Sequence, residues 1–188
     1  MKKYQIIYAD PPWRYSFSKS KSRKIENQYP TMSIEDICKM EIPSDENAVL
    51  YMWATAPKLE EAFQVIKSWG FKYKTHAVWD KEKIGMGYWF RGQHELLMVA
   101  VKGSFSPPPP SKRVGSVIRG ARGKHSSKPN KVRDYLAICY PDCQRLELFA
   151  RSKTKEWDVF GNEVLPDVEI EAENDVEIID TARAFEKF

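Results

Sequence analysis

Three cysteines and three histidines are few for a chain of 188 residues, and no run of about 20 apolar residues occurs. The missing run excludes a helical membrane span. The odd cysteine count, with Cys38 far upstream of Cys139 and Cys143, suits reduced thiols better than a disulfide framework. His76, His94 and His125 all lie far from the cysteine pair in sequence, so a four-ligand metal site is not expected. The segment Met1–Tyr8 is too short and too polar for a secretory leader and reads as an early strand. A cytoplasmic protein with one domain and a full core is expected.

Charge is unevenly spread. Residues 164–188 hold eight acids and two bases, a net of −6 against +4 for the whole chain, which leaves +10 on residues 1–163. The chain is therefore divided into a body, 1–163, and an acidic tail, 164–188, expected to be an edge strand or disordered. A basic body suits a polyanion partner; a solvated surface would have the same composition. The bases concentrate in two loops. Residues 14–30 include Arg14, Lys19, Lys21, Arg23 and Lys24, and residues 111–128 include Lys112, Arg113, Arg119, Arg122, Lys124 and Lys128 with no acid.

Strand patterns alternate with helical ones. Strands are predicted at 4–9, 48–53, 75–79, 96–101, 114–119, 145–150 and 157–160. Ser33 with Asp36 predicts a helix N-terminus running to about Met40. Leu59, Ala62, Phe63, Ile66 and Trp69 have helical spacing, and Gly70 ends that helix. Pro129 suits the first turn of a third helix to Cys139. Pro107–Pro110 reads as a stiff connector. The alternation predicts an α/β domain with a mostly parallel sheet flanked by helices, and ligands bind such sheets beyond the C-terminal strand ends.

Asp10-Pro11-Pro12-Trp13 falls at such an end. The exocyclic amine of adenine is a poor nucleophile because its lone pair is delocalised into the ring. A carboxylate accepting one N6 hydrogen and a main-chain carbonyl accepting the other favour a tetrahedral nitrogen, ready for in-line attack on a sulfonium methyl. Asp10 can supply the carboxylate, Pro11 a stiffly held carbonyl, and Trp13 a flat face. Asp-Pro-Pro is also an ordinary turn sequence.

Tyr29-Pro30-Thr31-Met32-Ser33, Trp53-Ala54-Thr55, His125-Ser126-Ser127-Lys128-Pro129, Glu147-Leu148-Phe149-Ala150-Arg151 and Trp157–Glu163 follow in order. Together with Asp10–Trp13, over roughly residues 4–163, this set resembles the MT-A70 family of adenine-N6 methyltransferases. The resemblance implies a Rossmann-like methyltransferase fold in permuted order, with the catalytic motif first and S-adenosyl-L-methionine as cofactor. It implies that Lys128 holds the cofactor's carboxylate, that Asn162 and Glu163 bond its ribose, and that Phe149 and Arg151 line its pocket beside Asp10. It places Tyr29 by the target adenine, with Glu95 a weaker candidate. Trp53, Trp79 and Trp157 are expected to be core residues. Larger relatives have an upstream segment that contributes a cofactor contact; with nine residues before Asp10, that contact is expected to be absent or replaced here, Ala150 stands where glycine is common, and Glu163 where an amide often does.

Adenine in DNA, flipped out or single-stranded, is the expected substrate, in a prokaryotic or phage setting. The basic residues Lys21, Arg23, Lys112, Arg113, Arg119 and Arg122 are expected to grip phosphates. RNA as substrate, a non-catalytic nucleic-acid-binding partner of another methyltransferase, and a small-molecule or protein methyltransferase are the other readings. A monomer or small homo-oligomer is expected, with a heterodimer with a related subunit also compatible.

Overall fold

The computed structural model describes residues 2–15, 30–121, 123 and 127–171. Seven strands and three helices follow one another along the chain: β1 (Tyr4–Ala9), α1 (Ile34–Lys39), β2 (Ser44–Ala54), α2 (Leu59–Ser68), β3 (Lys72–Asp80), β4 (His94–Lys102), β5 (Val117–Arg119), α3 (Asn130–Cys139), β6 (Arg145–Leu148) and β7 (Asp158–Phe160).

The strands form one sheet in the order β5-β3-β4-β2-β1-β6-β7. Pairings of β1 with β2, β1 with β6, β6 with β7 and β3 with β5 are parallel, and β4 is antiparallel to both β2 and β3. Only β4 runs against the rest. The mostly parallel α/β architecture expected from the sequence is thus present.

Local chemistry explains the start of α1 and the end of α2. Ser33 caps α1: its Oγ accepts from the Asp36 amide at 3.1 Å, satisfying one donor the helix leaves open. Gly70 closes α2 with φ 78°, a conformation glycine adopts at little cost. Several boundaries differ from expectation. Pro129 precedes α3 rather than opening its first turn, because its ψ of 118° is not helical. The strand expected to reach Ala150 stops at Leu148, since Phe149 turns into the left-handed region at φ 60°. The polar starts of β2 and β3, unreadable as strand from side chains, extend by backbone pairing of Ser44 with Tyr4 and Lys72 with Val101.

Both faces of the central strands are buried, which is why β1, β2 and β4 read as almost continuous apolar runs. Ile7, Leu50, Met52 and Met98 pack beneath α1 and α2. The Trp69 indole N–H donates to the Ile37 carbonyl at 2.8 Å and ties those two helices together. On the opposite face Ile6, Tyr8, Trp53, Trp79 and Trp157 pack with Val132 and Leu136 of α3. The three tryptophans expected in the core are therefore there. Cys139 is buried, Cys38 and Cys143 are half-buried, and all three are free thiols. Among the described residues no cluster of ligands suits a metal ion, and no helix is long and apolar enough to cross a membrane.

Within the acidic tail, residues 164–171 form no strand. They lie back on the body, with Val168 and Ile170 against the first core and Asp167 exchanging backbone and side-chain bonds with Val159.

Candidate active site

Because β1, β2, β6 and β7 run one way and β4 the other, four C-terminal ends and one N-terminal end meet on one sheet edge. Asp10 leaves β1, Thr55 follows β2, Phe149–Arg151 follow β6, and Asn162–Glu163 follow β7; Glu95 is the second residue of the reversed β4. All of them line a single cleft of about 200 Å³. It spans five neighbouring strands spaced about 4.8 Å apart, with β1 in the middle. The chain departs from β1 to β2 on one side and returns at β6 on the other, so Asp10 occupies the switch point where open α/β sheets bind ligands.

The centre of the cleft is an ionic cluster. The Lys128 ammonium lies 2.7 Å from Asp10 Oδ2 and 3.4 Å from Glu95 Oε2, with the Trp53 ring centroid 5.9 Å away. Glu95 also faces Lys81 at 3.3 Å. Burial strips water from the Lys128 ammonium and alone pulls its pKa down; the Asp10 and Glu95 carboxylates outweigh this and hold it above the ordinary lysine value. Lys128 is therefore a fixed cation at neutral pH. An ammonium has three N–H donors, so with Asp10 and Glu95 engaged one remains for an incoming acceptor. Beneath this cluster the Trp53 indole N–H donates to Tyr8 Oη at 2.6 Å, and burial pushes the Tyr8 phenol well up, so it stays neutral.

The Asp-Pro-Pro-Trp segment turns tightly. The Trp13 amide donates to the Pro11 carbonyl at 2.9 Å, and the Pro12 carbonyl accepts from the Met32 amide at 2.9 Å. Pro11 retains its second carbonyl lone pair. Trp13 is buried and its indole N–H donates to the Trp53 carbonyl at 3.2 Å. Tyr15 and Thr55 close this end, their hydroxyls 2.7 Å apart.

At the other end β6 and β7 approach so closely that a Cβ on Gly161 would sit 2.6 Å from the Ala150 nitrogen. Only glycine fits there, and its absence of a side chain lets Asn162 and Glu163 follow directly beside Phe149 and Arg151. Arg151 Nε stands 3.7 Å from Glu163 Oε1. Phe149 holds its left-handed backbone without being glycine, the sort of local strain that clusters at working sites.

Asp10, Pro11, Pro12, Trp13, Glu95, Lys128, Phe149, Arg151, Asn162 and Glu163 are thus brought together. Tyr29, Lys21, Arg23 and Arg122 lie outside the described residues; Pro30, next to Tyr29, does line the cleft. The remaining basic candidates are not in it. Lys112 donates to the carbonyl of Ile138 at the far end of α3, and Arg113 to that of Pro108, both towards the opposite sheet edge. Arg119 ends β5 opposite Asp80, on the same edge as the cleft but two strands beyond Glu95. Sequence reasoning assigned Trp53 to the core alone; it is fully buried and also floors the cleft. A larger groove of about 860 Å³ lies over the β2-β4-β3 face between α3 and residues 105–119. Its walls are mainly apolar, with Lys74, Arg113, Arg119 and Lys131 but no carboxylate among them, so size alone does not mark it as the reactive site.

A profile of the MT-A70 family matches residues 4–163. The chain is 36% identical to the type II methyltransferase M.MunI of Mycoplasma sp, over 94% of this chain and 84% of that one. It is 24% identical to the N(6)-adenosine-methyltransferase catalytic subunit METTL3 of Homo sapiens and to an N(6)-adenosine-methyltransferase MT-A70-like protein of Arabidopsis thaliana, covering 86% of this chain but only 28% and 24% of theirs. The chain spans about a quarter of those longer proteins. With the profile covering nearly the whole described body and the cleft assembled from the same segments, the chain belongs to the MT-A70 family.

Proposed function

We propose that the protein transfers a methyl group from S-adenosyl-L-methionine to the N6 amine of adenine in DNA. The observation that carries this reading is the Asp10 carboxylate at the sheet's switch point, beside the rigid Pro11 carbonyl and bonded to Lys128.

The residues fit the cofactor. A nucleoside-bearing sulfonium amino acid needs acceptors for ribose hydroxyls, a cation for its carboxylate, an acceptor for its ammonium and an apolar wall. Asn162 and Glu163, Lys128, Asp10 and Phe149 offer that set along one cleft. When bound, S-adenosyl-L-methionine supplies an electrophilic methyl on a positively charged sulfur.

In this reading Asp10 accepts one N6 hydrogen and the Pro11 carbonyl the other, which frees the nitrogen lone pair for in-line attack. Trp13 and Tyr15 wall the base, and Tyr29, the residue before Pro30 of the cleft lining, is assigned to the same place. Asp10, still 27% exposed, takes the released proton or passes it to water at the cleft mouth. Catalysis is then positioning and electrostatics, with no covalent enzyme intermediate. The likeness to a type II methyltransferase over most of that protein's length supports DNA over RNA. Arg119, with Lys21, Arg23 and Arg122, is assigned to phosphate contact, and a cytoplasmic setting follows from the same reading.

The test is transfer of labelled methyl to duplex DNA, single-stranded DNA and RNA, with digestion and identification of the modified nucleoside. N6-methyladenine in DNA is expected, with a loss of at least about a hundredfold in Asp10→Ala. Undiminished transfer by Asp10→Ala would refute the mechanism.

A further inference from the structure

The loop joining β3 to β4, residues 81–93, is built unlike any other segment described. At its tip Tyr88, Trp89 and Phe90 are 78%, 96% and 90% exposed. Three consecutive aromatics in water are costly for a soluble surface and mark a contact site. They are not loosely held. Lys81 and Gln93 pair at the base, the Gly85 amide donates to the Gly92 carbonyl at 2.9 Å, and the Gly92 amide to the Met86 carbonyl at 3.0 Å. A Cβ on Gly85 would lie 2.6 Å from the Gly92 carbonyl oxygen, and one on Gly87 would overlap that of Phe90. Glycines therefore pinch a narrow neck and leave the aromatics at the end of a finger.

Two further observations indicate what it contacts. The finger is basic: Lys81, Lys83 and Arg91 against Glu82, with Arg119 paired in register beside Asp80 at its base. It is also rooted in the reactive cleft, since Lys81 bonds Glu95, which in turn meets Lys128. Phe90 is five residues and Tyr88 seven from Glu95, so the tip is within about 18–25 Å of it even if fully extended, roughly five to seven nucleotide steps of about 3.4 Å.

We propose that Tyr88-Trp89-Phe90 is a stacking tip that engages the bases next to the target adenine, while Lys83 and Arg91 hold the adjoining phosphates. This rests on the nucleic-acid methyltransferase reading above. An adenine that must leave its stack leaves unstacked neighbours behind, and aromatic rings flanked by cations supply a sequence-tolerant surface for them.

Trp89 makes the idea measurable. Of the six tryptophans, Trp13, Trp53, Trp69, Trp79 and Trp157 are all buried, so quenching by acrylamide reports Trp89. The full chain is titrated with a 20-nucleotide mixed-sequence DNA, single-stranded and duplex, at low salt. Emission from Trp89 should fall and become shielded. Trp89→Ala should bind the oligonucleotide about tenfold more weakly and raise KM for DNA more than it lowers kcat. Its melting midpoint should be unchanged, and Trp89→Phe should retain most of the binding. If Trp89→Ala binds and methylates DNA like the parent and Trp89 is never shielded, the stacking tip is overturned while the proposed function stands. If the parent neither binds nor methylates any nucleic acid, both fall. If Trp89 is already shielded without DNA, and Trp89→Ala converts a dimer to a monomer in sedimentation, the tip is a surface for a second copy and the proposal is overturned.

Discussion

Replacing Lys128 by methionine removes the cation that Asp10 and Glu95 share and keeps much of the side chain's volume. Both carboxylates touch the same nitrogen, at 2.7 Å and 3.4 Å, so they stand within about 6 Å of each other. At an effective dielectric of about 20, two negative charges at that distance repel by about 3 kcal/mol. The three side chains are 13%, 27% and 8% exposed, so solvent screens this only in part. Breaking a buried pair costs about 3–5 kcal/mol; with Asp10 partly solvated, Lys128→Met should lose about 3 kcal/mol, or roughly 6–12 °C of melting midpoint. The decisive step is the second substitution. Asp10→Asn in the parent gives up an ion pair and should destabilise; in the Lys128→Met background it relieves the repulsion and should recover about 2–3 kcal/mol. Urea unfolding of the four proteins at pH 8 closes the cycle, and none needs to be active for it. A change of the same sign in both backgrounds would refute the account of Lys128 as the charge that lets two carboxylates share the cleft.

Other expectations can be checked alongside. Burial pushes the Glu147 carboxyl up even with the Arg133 guanidinium 2.6 Å away, so Arg133→Ala should cost about 3 kcal/mol by leaving that acid unpaired in the sheet, read as a drop in urea midpoint. A hydrogen bond from Lys153, with the Val159 amide adding to it, holds the Asp167 carboxyl below its ordinary value. A depressed carboxyl contributes stability that is present above its unfolded pKa and lost as pH falls through the folded one. The parent should therefore melt above Asp167→Asn at pH 5–8, and the gap should close on acidification below about pH 3.9. Ser33→Ala should cost about 1 kcal/mol through the lost cap of α1, measurable by the same melts.

What was legible in the sequence has local causes. Short continuous apolar runs, a Ser-x-x-Asp cap and a terminal glycine are read over a few residues, so α1, α2 and the central strands could be placed before any fold was known. Asp10–Trp13 at a strand end is also local, and the ordered segments around it carried the family. The polar starts of β2 and β3 escaped because a ladder of backbone bonds does not depend on side-chain polarity. Phe149 could not be foreseen as the end of β6, since a left-handed phenylalanine is a property of the packed strand pair and not of phenylalanine.

Strand direction was decided only in three dimensions. Nothing in the residues of β4 says that it runs against its neighbours, yet that reversal brings Glu95 to the same edge as Asp10 and within reach of Lys128, 33 residues later. The opposite holds for Lys112 and Arg113, whose basic composition suggested the cleft, but the reversed β4 delivers the chain to the far edge, where Lys112 meets the C-terminal end of α3. Composition and short-range pattern specify which groups a chain possesses and which element each sits on. Which of them face one another depends on the order and sense of strands, set by burying both sheet faces at once.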